Sequence, residues 1–118
     1  MEKIYKINTQ TAEHFNWGTH CDGWFLANNA NICVLQEKMP AGTREEKHYH
    51  EKTWQFFFIL SGTATMEING VTHELRSLDG IEIPPQVPHK IVNNTNQDLS
   101  FIVISMPNHK SDRVNLDE

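Results

Sequence analysis

The stretch HYHEKTWQFFFILSG, residues 48–62, decides how this chain is read. On a β-strand, residues two apart share a face, so His48 and His50 present their rings side by side while Tyr49 faces the other way. Five residues after His50 a single amide, Gln55, enters the most hydrophobic run of the sequence, and alternation places Phe57 and Ile59 on its face. Paired imidazoles suit two ligands of one metal ion. A strand running back beside them brings Gln55 into the same space. A third imidazole, His89, follows a proline-rich turn and opens another strand. Three imidazoles and an amide oxygen make a neutral ligand set for a divalent ion, with positions left for water or substrate. Each feature alone has an ordinary explanation: exposed strand histidines, a core amide satisfied by backbone, a surface histidine after a turn. Their combined spacing is what points to a metal.

Outward from this stretch, helical periodicity is absent. Short runs rich in Val, Ile, Phe and Thr recur at about ten-residue intervals between turn residues, the pattern of an all-β sandwich or barrel. Strands are predicted over residues 32–39, 46–50, 54–60, 63–68, 71–75, 80–83, 89–93 and 99–105. Asn69-Gly70 supplies the positive φ angles of a two-residue hairpin turn. Pro84, Pro85 and Pro88 end a strand, because proline cannot donate to the ladder. The polar end, HKSDRVNLDE, reads as a tail or a short cap.

The chain of 118 residues is expected to form one domain. Its longest apolar run, Phe56 to Leu60, is far below the roughly 20 residues of a membrane span. The start, MEKIYKINTQ, lacks the layout of a signal peptide, so a cytoplasmic location is expected. A net charge of −5 with no basic cluster argues against nucleic-acid binding. Cys21 and Cys33 read as reduced thiols.

The spacing resembles the cupin superfamily. The first cupin motif is Gly, five residues, His-x-His, three or four residues, Glu, six residues, Gly. Here Gly42 is followed by TREEK, His48-Tyr49-His50, EKTW, Gln55, FFFILS and Gly62, so every spacing matches and Gln55 replaces the glutamate. The second motif, Pro-x-Gly-x-x-His-x-x-x-Asn, appears as Pro84 to Asn93, with Gln86 at the usual glycine. Its upstream Gly-Asp reads Leu78-Asp79-Gly80. Motif 1 thus occupies residues 42–62 and motif 2 residues 78–93 of a single cupin domain, residues 1–118.

The resemblance implies an antiparallel double-stranded β-helix, or jelly-roll barrel, with a divalent metal in its mouth held by His48, His50, Gln55 and His89. Glutamine brings neither the charge nor the basicity of glutamate, so the ion keeps its full double charge and polarises a bound oxygen more strongly. That favours Zn, Ni or Mn in a Lewis-acid role, with Fe as the alternative. The ligand set is similar to that of pectin-degradation cupins, which open 4,5-unsaturated uronates, and to that of polyketide cyclases. The expected function is therefore a metal-dependent lyase, isomerase or cyclase acting on a small polar molecule such as a sugar or uronate. An iron-dependent dioxygenase and a non-catalytic ligand-binding or sensing cupin are the competing readings.

Secondary positions are less decided. In the pectin-type cupins an acidic residue and an arginine near the final strand assist the metal. LSFIVISMP carries neither, and Asp112 and Arg113 lie beyond Pro107. Trp17 and Trp24 can line a mouth or pack barrel ends, and Trp54 is expected to pack outside. Met66 reads as core, Val103 and Ser105 are candidates to point inward, and Arg44 and Glu46 read as exposed rim charges. His14, His20, His73 and His109 read as surface or loop residues. The alternating KIYKI segment, Ile4 to Ile7, is the candidate edge for a homodimer.

Overall fold

The computed structural model describes residues 4–108 and 112–116. They form eleven strands: β1 (Glu13–Trp17), β2 (Cys21–Asn28), β3 (Cys33–Met39), β4 (His48–His50), β5 (Trp54–Ser61), β6 (Ala64–Ile68), β7 (Val71–Leu75), β8 (Gly80–Ile83), β9 (His89–Val92), β10 (Leu99–Met106) and β11 (Arg113–Asn115). No helix forms among the described residues. Two antiparallel sheets face each other, one in the order β1-β2-β3-β10-β5-β8 and the other β11-β4-β9-β6-β7. This is the expected all-β jelly-roll.

Strict alternation builds the barrel. On β3 and β10 every second residue is buried, and on β5 Gln55, Phe57 and Ile59 turn inward as the sequence requires. Register then sorts the interior by depth. Phe57 lies opposite Val103 and Gln55 opposite Ser105 on one flank of β10, while Leu35 and Glu37 oppose Val103 and Phe101 on the other. One end of the barrel is a dry core of Met39, Ile59, Met66, Leu99 and Phe101, all fully buried. Burying each such side chain contributes about 1.5–3 kcal/mol. Toward the other end the inward positions become Glu37, Gln55, Ser105 and three histidines. The polar mouth is thus a continuation of the same strands that make the core.

On the outer face of β5, Trp54, Phe56 and Phe58 stack in a row, and the Trp54 indole N–H donates to Glu82. Trp54 therefore packs outside, as alternation demands. Turns follow the expected chemistry: Asn69 and Gly70 take φ of 51° and 82° at the hairpin. Leu78 and Gln86, where cupin motif 2 has glycines, adopt φ of 72° and 70°. The backbone keeps the left-handed turns although the side chains there disfavour them.

Three strands lie outside the sequence reading. β1 and β2 form a hairpin at the end of the first sheet, where only Cys21 and Gly23 are fully buried and the apolar alternation is diluted by Asn, Asp and Gly. The segment read as a tail contributes β11, which pairs with β4 through Arg113↔His50 and Asn115↔His48. Residues 4–7 form no strand, and Ile4 and Tyr5 stand exposed. His109 lies outside the described residues.

Asn93, the last residue of motif 2, is fully buried. Its Nδ2 donates to the carbonyls of Met39, Pro40 and Gln97 at 2.8–3.2 Å, and its Oδ1 accepts from the backbone N–H and hydroxyl of Thr95. It ties the end of β3 to the loop before β10. Asn93→Ala leaves buried backbone groups unpaired and is expected to lower unfolding free energy by about 2–4 kcal/mol, measured by urea denaturation. A loss below about 0.5 kcal/mol would mean that water replaces these bonds freely.

Candidate metal centre

β4 carries His48 and His50 on its inward face, and β9 delivers His89 directly opposite His48. Their nearest ligand nitrogens lie within 4.8 Å of one another, and all three side chains are buried. Each ring is fixed through Nδ1. His48 Nδ1 lies 2.9 Å from the Glu46 carbonyl, His89 Nδ1 2.9 Å from the Val87 carbonyl, and His50 Nδ1 3.0 Å from Asp112 Oδ1. Carbonyls and carboxylates only accept, so these contacts place the ring hydrogen on Nδ1 and assign the lone pair to Nε2. That is the tautomer a metal-binding imidazole needs.

Gln55 enters from β5. Its Nε2 donates to Ser105 Oγ at 3.0 Å, which directs Oε1 toward His89 Nε2 at 3.1 Å. Burial, reinforced by the neighbouring His48, pushes the His89 pKa down to about 4, so this ring is neutral at pH 7. A lone pair on Nε2 then faces the lone pairs of a carbonyl oxygen. Two acceptors at hydrogen-bond distance repel each other unless a cation lies among them. The donor chemistry therefore fits a divalent ion.

The structure also places two residues that the sequence left unassigned. Asp112, just before β11, accepts the His50 bond on Oδ1 and the backbone N–H groups of Lys52 and Thr53 on Oδ2, at 2.8 and 2.9 Å. Burial alone would raise its pKa, but these donors hold it below the usual carboxylate range. Arg113 lies 3.6 Å from Glu45 Oε2 through Nη1. Asp112 and Arg113 thus stand at the site despite lying beyond Pro107, because β11 returns to pair with β4.

Two further carboxyl groups, absent from the sequence reading, complete the mouth. Glu37 points inward from β3, and Glu45 lies between Arg113 and the backbone N–H of Ile91. Together with Leu35, Phe57, Val103, Arg113, His48, His50 and Gln55 they line a cavity of about 50 Å³. Burial, then the charge of Glu45, pushes the Glu37 pKa up to about 8. Glu45 is raised by burial as well, but Arg113 opposes the shift. Alternation could have flagged Glu37, since it shares a face with Leu35 and Met39. Nothing in the sequence separated Glu45 from its neighbours Arg44 and Glu46, which are exposed and border an outer hollow.

The model of the Cupin domain matches residues 35–105 of this chain. The chain belongs to the cupin family. An uncharacterized protein of Methanocaldococcus jannaschii is 33% identical over 69 residues, which is 58% of this cupin and 55% of that protein. The chain thus spans about half the length of that relative. Among solved structures, the polyketide cyclase RemF from Streptomyces resistomycificus superposes with a TM-score of 0.85 at 15% identity, covering 98% of this chain and 87% of RemF. KdgF from Halomonas sp. gives 0.80 at 17% identity, covering 88% and 95%. At these identities the two structures establish the fold alone.

Because Asp112 orients His50, Asp112→Ala is expected to weaken zinc binding by about 10–100-fold while leaving the barrel folded. Competition with a chromophoric chelator measures the first and circular dichroism the second. Unchanged zinc affinity would show that His50 needs no such partner.

Proposed function

We propose that this cupin is a metal-dependent lyase, isomerase or cyclase acting on a small oxygen-bearing molecule, with His48, His50, Gln55 and His89 holding a divalent ion. The observation that carries this reading is the pairing of a neutral metal-type donor set with two largely buried carboxyl groups in one cavity, of which Glu45 has an arginine beside it. Glu37, kept protonated by burial, is suited to give a proton. Glu45, whose ionised form Arg113 supports, is suited to take one. Environments that set two carboxyl groups apart in this way define acid and base roles.

When bound, a divalent ion in such a site polarises a carbonyl or hydroxyl oxygen and favours negative charge developing there. The remaining work falls to side chains. Glu45 removes a proton from the carbon next to the polarised group. Glu37 returns one, either to a second carbon in an isomerisation or to a leaving oxygen in an elimination or ring opening. Arg113 anchors a carboxylate, as a uronate or related acid would carry. Zn, Ni or Mn suits chemistry with no change of oxidation state. Because the family hosts a range of chemistries, it is the site and not the fold that supports this class.

Glu37→Gln is expected to reduce kcat by about 10²–10⁴-fold with metal content unchanged. The sign of its pH effect is fixed. An acid whose pKa is raised by burial stays protonated to higher pH than an ordinary carboxyl group, so wild-type kcat/KM should fall as pH rises through the Glu37 pKa, and the Gln variant should lack that limb. Steady-state assays of the metal-loaded protein with keto acids, unsaturated uronates and hydroxy ketones test both points. A fully active Glu37→Gln variant would remove the acid from the scheme.

A further inference from the structure

The inner cavity does not end at the histidines. Leu35, Glu37, Glu45 and Arg113 line both it and a second cavity of about 190 Å³, whose remaining walls are Phe15, Trp17 and Phe25 from the β1–β2 hairpin. An apolar cavity of about 150 Å³ takes a benzene-sized ring, so the second cavity has room for one six-membered ring beside the reacting centre.

The side chains of its outer wall decide which kind of ring. Phe15 and Phe25 pack with centroids 5.0 Å apart, and neither they nor Leu35 can form hydrogen bonds. Trp17 has one donor, and its Nε1 gives that to the Asp22 carbonyl at 3.1 Å. A hydroxylated sugar ring lodged there would give up its bonds to water and receive none from these four side chains. A flat apolar ring loses nothing and gains stacking area. The inner end is the reverse. Arg113 carries five N–H donors, of which Nε serves Asn115 Oδ1 at 2.8 Å and Nη1 faces Glu45. That leaves capacity for a carboxylate.

We propose that the substrate is an aromatic or unsaturated carbocyclic ring bearing a short carboxylate side chain. The ring occupies the Phe15–Trp17–Phe25–Leu35 cavity and the carboxylate pairs with Arg113. This rests on the reading of the site as catalytic but narrows it, from uronates in general to acids with an apolar ring. The hairpin that selects the ring belongs to β1 and β2, outside the two cupin motifs, so specificity and chemistry are carried by separate parts of the chain.

Calorimetric titration of both zinc-loaded and zinc-free protein with three probes tests this: 3-phenylpropanoate, 3-phenylpropan-1-ol and galacturonate. 3-Phenylpropanoate is expected to bind at least about tenfold more tightly than galacturonate, because only one of them suits an apolar wall. Arg113→Gln should weaken 3-phenylpropanoate by about tenfold and leave the alcohol within about twofold, and Arg113→Lys should restore part of the loss. Phe25→Ser should weaken both phenyl probes together. A thermal melt of each variant confirms that it folds. Galacturonate binding as tightly as 3-phenylpropanoate, an Arg113→Gln variant with unchanged carboxylate affinity, or no binding of either phenyl probe would each overturn the proposal. Probe binding needs no turnover, so these outcomes are distinct from a failure of the catalytic reading.

Discussion

The site depends on one carboxylate. Asp112 holds the ring of His50 with one oxygen and the backbone N–H groups of Lys52 and Thr53 with the other, so a residue near the chain's end locks the turn between β4 and β5. That bond sets the tautomer of His50. The pairing of β11 with β4 that accompanies it places Arg113 beside Glu45. The orientation of His50 and the Arg113–Glu45 ion pair both follow from the return of this short strand.

The second constraint is the cost of polar groups inside a barrel. Buried charges persist only when paired or when they give up their charge. Glu37 gives up its charge, Glu45 keeps company with Arg113, and His89 stays neutral. Gln55 fits the same economy. A glutamate there would add a third carboxylate to a cavity of about 50 Å³ that already holds two. The neutral amide instead anchors its nitrogen on Ser105 and presents only a carbonyl to the histidines. The departure from the family motif lies in the same cavity as the two carboxyl groups.

Much of this could be read from residue order. Alternation through β3, β5 and β10 put Gln55, Phe57 and Ile59 on one face, and the two motifs brought His48, His50 and His89 together across strands far apart in sequence. What stayed hidden has physical reasons. β1 and β2 form an end hairpin whose exposed residues are Glu13, His14, Asn16, Ala27 and Asn28, so burial left little apolar signature. β11 is three residues long and polar, and its place is fixed by pairing with β4 rather than by any propensity of its own. Glu45 is singled out by the path of the loop before β4, which no pattern of neighbouring charges encodes. The left-handed turns at Leu78 and Gln86 were marked by motif position although their residue types disguised them.

The most direct test of the central claim is metal stoichiometry per chain, by elemental mass spectrometry on protein purified without a histidine tag. Wild type is expected to carry about one equivalent of a divalent transition metal, and a His48→Ala/His89→Ala double variant close to none. A folded wild-type protein that retains no metal after equilibration with zinc, nickel, manganese and ferrous iron would contradict the account.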